Sequence, residues 1–253
     1  MVVRALTFLL LMSFGVAGWA SNKVVKMAIP AAGYPPFVVV QEDRTVTGLM
    51  IEPLMTALNN LGYQLKFSFV PEVRAQVLLN KGEIDVRTES PYFIDNPKDY
   101  FWSIPIISLD DVLVFHQQSN HSYSNMNDVE GAEIVTHLGY GYPTLQPLFD
   151  AKKAHRRDMN SERAMLRYML RAVGERKTAA VMNKQVAEWI INQDKALTGK
   201  YQFSELVIGS APFQFQYSYS PKMQMLAPKI DQELKKLYKD GTLLNNSNPK
   251  VSQ

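Results

Sequence analysis

The sequence predicts an α/β protein with a largely parallel sheet, and three observations predict it. Short apolar or alternating runs recur between segments of helical spacing. The first 60 residues after position 23 read strand, aromatic loop, strand, helix, strand, helix, strand. Glycines stand where the helices should stop, as at Gly62 and Gly82. Elements alternating in this order form crossover units, which place neighbouring strands parallel.

Taken in order, residues 24–29 form an apolar run, followed by the turn-rich loop Gly33-Tyr34-Pro35-Pro36-Phe37. A second apolar run, residues 37–40, leads to the polar turn Gln41-Glu42-Asp43-Arg44. Met50, Ile51, Leu54, Met55, Leu58 and Leu61 recur three and four apart and predict a helix. Residues 64–69 alternate polar and apolar, as a half-buried strand does. A periodic segment over 73–79 predicts a second helix, and Ile84-Asp85-Val86 a further strand, with residues 86–92 leaving the strand end, where Glu89 stands, and entering a loop. Residues 109–115 read as a strand crossing into a second lobe.

Beyond it, Pro143 should lie in the first turn of a helix. Asn160-Ser161-Glu162-Arg163 should cap the next, whose apolar face is Met165, Leu166, Met169, Leu170 and Val173. Residues 178–182 are a buried-strand candidate, followed by a helix with Val186, Trp189 and Ile190 on one face. Residues 206–209 lead back, residues 213–219 alternate as a strand, and Ile230, Leu234, Leu237 and Tyr238 form a last helix face ending at Asp240-Gly241. Lys152-Lys153 and Arg156-Arg157 read as a solvated helix face, and Asp110-Asp111 as a turn near the crossing.

Composition bounds the function. The chain has 253 residues, 46% of them hydrophobic and 20% charged, which is ordinary globular composition. A formal charge of +3 with no dense basic block gives no nucleic-acid partner. The absence of cysteine excludes disulfides and thiol chemistry. The four histidines lack metal-ligand spacing, and no phosphate loop, dinucleotide fingerprint or nucleophile elbow occurs, so no metal or cofactor is expected. Arg4, the apolar run 5–12 and Gly18-Trp19-Ala20 make residues 1–20 a cleaved secretory signal, too short in its apolar part for a membrane span of about 20 residues.

Three motifs in order then carry a resemblance: Tyr34-Pro35-Pro36-Phe37, Gly48-Leu49-Met50-Ile51-Glu52, and Lys81-Gly82-Glu83-Ile84-Asp85-Val86. The chain resembles bacterial periplasmic solute-binding proteins of family 3, the polar amino-acid transport type, in a divergent branch. The resemblance covers residues 24–245 and extends to the segment 100–105 and to the helix, glycine turn and strand over 128–135. It implies a type II periplasmic-binding-protein fold with a two-segment hinge, each lobe a mostly parallel sheet flanked by helices. Lobe one would be residues 21–109 and 212–253, and lobe two residues 110–211. It implies a periplasmic monomer that captures a small polar, anionic or amino-acid-like ligand and delivers it to an inner-membrane ABC permease or a sensor receptor.

The ligand-binding residues expected are Tyr34, Phe37, Arg74, Glu89, Ser90, Tyr92, Tyr140, Tyr142 and Asn183. Tyr34 and Phe37 would give an aromatic wall. Arg74 has the planar fork of an anion clamp. Gly139-Tyr140-Gly141-Tyr142 would offer backbone N–H groups before a helix. The family's carboxylate-binding Arg falls here at Asp95 or Asn96, and its amino-binding Asp at Asn183. At about 1.5–3 kcal/mol for each charge-assisted hydrogen bond, losing both would cost about two to four decades of affinity. Arg74, Lys98 and Glu89 would replace the clamp, or the ligand is not an α-amino acid. Two other readings stand beside transport: a partner-docking or sensory module that has lost the clamp, and a dehydratase on the same scaffold with Glu89 as its acid or base.

Overall fold

The computed structural model describes residues 23–172 and 177–239. The secretory signal, Val173 and the Asp240-Gly241 helix end lie outside them. From the amino end, β1 (Val24–Ile29) runs into the aromatic loop. The hairpin of β2 (Val39–Val40) and β3 (Val46–Thr47) follows. Next come α1 (Ile51–Asn60), β4 (Gln64–Phe69), α2 (Glu72–Asn80) and β5 (Val86–Glu89). β4, β1 and β5 lie side by side and parallel, as the crossover order predicts. The second apolar run differs from expectation. Only Val39 and Val40 are in a strand, and they pair with β3 away from the main sheet. Phe37 is fully buried in the turn before them.

β6 (Phe101–Trp102) and β7 (Ile107–His116) follow, then β8 (Glu133–His137), α3 (Gln146–Asp150), β9 (His155–Met159) and α4 (Glu162–Met169). β10 (Thr178–Asn183), α5 (Lys184–Gln193), β11 (Tyr201–Tyr217) and α6 (Pro221–Lys239) complete the chain. The strand order is β4-β1-β5-β11-β7-β10-β8-β9, with β6 also on β11. β9, β8 and β10 are parallel. β7 and β11 run antiparallel to each other from Ile107 opposite Phe213 to His116 opposite Tyr201. The fold is therefore two mostly parallel α/β lobes joined through two long strands. One core packs β1, α1 and α6 through Met27, Leu54, Leu58, Ile230 and Leu234. The other packs β7, β8, β10 and α4 through Val114, Val135, Ala180, Met165 and Leu166.

Five local readings are corrected. The strand expected from Ile84 starts at Val86 and runs to Glu89: Asp85 accepts the Lys26 N–H at 2.7 Å and Lys222 Nζ at 2.7 Å, and the ladder begins with Val86 opposite Met27. Arg156 and Arg157 lie on β9, not on a helix. As an edge strand, β9 keeps no residue buried between Glu133's neighbour His155 and Met159, so no alternation marks it. β11 is one strand of 17 residues, where the sequence reads as two. Register shifts between Phe203 and Gly209, and Pro212 without an N–H, break its pattern. Asp110 and Asp111 are not a turn; they lie within β7, opposite Ser210 and Gly209. α3 also starts later than Pro143, after a turn through Tyr142 to Leu145.

Candidate functional site: a tyrosine and carboxylate cluster at the crossing strands

Gly48 sets the aromatic loop in place. Its φ is +123°, and a Cβ there would come within 2.5 Å of the Phe37 carbonyl oxygen. The chain then runs against the loop, with Leu49 N–H donating to Pro36 O at 3.1 Å and Met50 N–H to Phe37 O at 3.0 Å. Tyr34, Phe37 and Phe213 pack ring to ring, with centroids 5.2 to 6.3 Å apart. Phe213 belongs to β11, so the loop is anchored on a crossing strand. The Tyr34 hydroxyl is pushed well above its ordinary pKa, first by burial and then by Tyr140, Asp111, Glu162 and Tyr142. Those four belong to β7 and the second lobe. Tyr34 of the first lobe is thus within electrostatic reach of them.

Asp111 is half-buried on β7, and its carboxyl is raised to about 6, by burial first and by the Asp110 charge second. Its neighbour on the other face is fully engaged. Asp110 accepts the Ser108 hydroxyl at 2.7 Å and the Ser210 hydroxyl at 2.6 Å. Asp111 stands directly opposite Asn183 of β10. Paired residues of antiparallel strands share a face, so the two side chains lie together. Asn183 caps α5, its Oδ1 accepting the Val186 N–H at 3.1 Å, while its Nδ2 is buried with no partner among the described residues.

The β8 end supplies the rest. Tyr142 is buried, and its hydroxyl accepts the His137 N–H at 3.1 Å; burial pushes it up to about 12. Tyr140 is 52% exposed and lies against the His137 ring, centroids 4.3 Å apart. Its hydroxyl is raised by burial, then by Glu162, Asp111 and Glu72. His137 also approaches Glu162 at 3.8 Å. Arg156 covers the Tyr142 ring at 5.7 Å, while donating to Asp158 Oδ1 at 2.9 Å and to Tyr140 O at 2.9 Å.

A second polar group surrounds Arg87, whose side chain is 5% exposed. It donates to Gln216 Oε1 at 2.6 Å, to Gln76 Oε1 at 2.5 Å and to Glu72, and it pairs with Glu89 at 3.2 Å. Burial raises the Glu89 carboxyl, while the Ser90 N–H at 2.8 Å and Arg87 pull it down. Ser90 is buried and accepts the Tyr92 N–H at 3.3 Å; Tyr92 itself is 72% exposed. Arg74 is exposed on α2, and among the described residues its side chain makes no hydrogen bond or ion pair.

The structure therefore brings together Tyr34, Phe37, Tyr140, Tyr142 and Asn183, and separately Glu89 with Ser90. Arg74 and Tyr92 join neither group. Sequence reasoning passed over Asp111, Glu162, His137, Arg87 and Phe213. Only Asp111 had a signal, an acidic residue inside an apolar strand. Among the described residues no group of side chains could hold a metal ion.

The model of the bacterial extracellular solute-binding proteins, family 3, matches residues 26–248. This chain belongs to that family. No curated protein matches it by sequence. Solved structures share the fold at low identity. The ligand-binding core of GluR0 with L-glutamate superposes at a TM-score of 0.68, with 16% identity over 90% of this chain and 97% of that one. An ancestral arginine-binding protein bound to arginine gives 0.66, 18%, 91% and 99%. The substrate-binding protein of an amino acid ABC transporter gives 0.64, 16%, 91% and 100%.

Proposed function

We propose that this chain captures a small polar ligand between its two lobes and presents it to a membrane partner without turning it over. One observation carries the reading: Tyr34 of lobe one, and Tyr140 and Tyr142 of lobe two, all lie within electrostatic reach of Asp111 in a crossing strand. A site built from both lobes is completed only when they approach, so ligand binding and closure are coupled. We take lobe one as residues 21–109 and 212–253, and lobe two as residues 110–211, with β7 and β11 as the two-segment hinge.

The partner is an inner-membrane ABC permease or a sensor receptor. The neighbour from an amino acid ABC transporter exemplifies the transport setting. Residues 1–20 direct export, and the exported protein works as a periplasmic monomer. A dehydratase reading would need a free acid or base. Glu89 is held by the Ser90 N–H and Arg87, which fits a supporting role.

A thermal-shift screen of the purified protein against amino acids, amines, organic acids, sugars and short peptides tests the reading. A ligand at 100 times its Kd adds about 2.7 kcal/mol and moves the midpoint by several degrees. The expected result is a hit that is lost in Tyr34→Ala and that contracts the protein in small-angle scattering. Silence across the panel favours the partner-docking module instead, for which exposed Tyr92 and Phe93 would be the contact.

A further inference from the structure

We propose that Asp111 anchors the ligand's ammonium group, and that the ligand is a small organic amine with a hydrogen-bond acceptor beside its cation. This rests on the cleft reading and names the chemistry of that same site.

The first support is that Asp111 is unspent. It is half-buried, and among the described residues its carboxylate has no hydrogen bond or ion pair. Asp110, one residue earlier, holds two serine hydroxyls. Charge taken from water and left unpaired is costly, so a cation arriving at Asp111 recovers what its burial loses.

The second support is independent of the acids. Asn183 is 8% exposed, its Oδ1 is committed to the α5 cap, and its Nδ2 donor is left unpaired on the face it shares with Asp111. A buried donor beside a buried acceptor fits a ligand that offers both a cation and a neighbouring oxygen. Tyr34, Tyr140 and Tyr142 lie within electrostatic reach of Asp111.

The third support is the charge that surrounds the site. Besides Asp111 and the tyrosines, the groups acting on Tyr34 and Tyr140 are Glu162 and Glu72. Two of the nearby cations are spent. Arg156 is held by Asp158 and Tyr140 O, and Arg87 by Glu72, Glu89 and two glutamines. Arg74 is exposed on α2. An anion here would meet Asp111 and Glu162, so the anionic handle expected from sequence does not fit this face.

The test is calorimetric titration at pH 7, where Asp111 is mostly ionised and the α-amine of the probe mostly charged, with two probes: L-lysinamide, an amine with a neutral acceptor, and glutarate, an acid without an amine. L-lysinamide should bind and glutarate should not. Asp111→Asn should weaken L-lysinamide at least tenfold while the thermal midpoint of the ligand-free protein does not fall, and Asp111→Glu should restore part of the affinity. Glutarate binding without L-lysinamide binding overturns the proposal, as does L-lysinamide binding that Asp111→Asn leaves unchanged. If both probes are silent the amine assignment falls. The cleft reading then survives only if the wider screen gives a hit lost in Tyr34→Ala.

Discussion

Two charged side chains near the lobe junction are treated in opposite ways. Arg87 is almost fully buried and has four partners, Glu72, Gln76, Glu89 and Gln216. Asp111 is half-buried and has none among the described residues. The first arrangement is what structure requires: a charge removed from water is stable only when its donors are satisfied. The second is what binding requires, because a site must keep an unmet need until the ligand arrives. The contrast separates a scaffold charge from a functional one without reference to any relative.

The comparison breaks first at Arg87. Arg87→Met should cost about 3–5 kcal/mol, the usual cost of removing one partner from a buried ion pair. Glu72 and Glu89 would lose their shared cation, and Gln216 its partner. The midpoint should fall by about ten degrees, while any ligand that still binds the folded protein keeps its charge preference. A loss of less than a kilocalorie in urea unfolding would show that the network is not structural.

Asp111 should behave in the opposite sense. Its carboxyl is raised from an ordinary 3.8 to about 6 in the folded protein. A raised acid stabilises the fold most fully below the unfolded value of about 3.8, and that stability is lost as pH rises through about 6. Above pH 6 the ionised group therefore burdens the ligand-free protein by about 2–3 kcal/mol. Asp110, Glu162, Tyr34, Tyr140 and Tyr142 are the titratable groups around it, with His137 beside Tyr140. Asp111→Asn should be more stable than wild type at pH 8 and converge with it near pH 4. Amine affinity of the wild type should fall below pH 6, towards tenfold for each unit. Equal urea midpoints for the two proteins at pH 8 would remove the claim that Asp111 is strained by burial.

Much of the fold was legible in the sequence because periodicity and glycine punctuation survive burial. α1 shows it well: Ile51, Leu54 and Leu58 are buried as their spacing requires, and Gly62 follows with a φ of +73°. What could not be read was long-range pairing. β9 packs against only one strand, so its sequence carries no alternation. β11 hides its continuity behind Pro212 and two register shifts. The candidate site follows the same rule. Tyr34, Tyr140 and Tyr142 lie in loops flanked by recognisable elements and could be proposed from sequence, while Phe37 beside them is fully buried in a core. Asp111 acquires its meaning from Asn183, 72 residues later and directly opposite on β10, a relation that no local pattern encodes.

Asn183 sharpens the contrast with the smallest effect, because one side chain there has both roles. Its Oδ1 caps α5 through the Val186 N–H, and its Nδ2 is the buried unpaired donor. Asn183→Ala removes both and should lower stability by about 1 kcal/mol, the ordinary cost of a lost cap. Asn183→Ser keeps a capping oxygen and drops the unpaired amide, so its stability should equal or slightly exceed that of wild type. If Nδ2 is held in reserve for the ligand, both variants should weaken L-lysinamide by a similar factor, although their stabilities differ. Affinity that instead tracks stability across the pair would make Asn183 a cap and nothing more, and would leave Asp111 to hold the ligand alone.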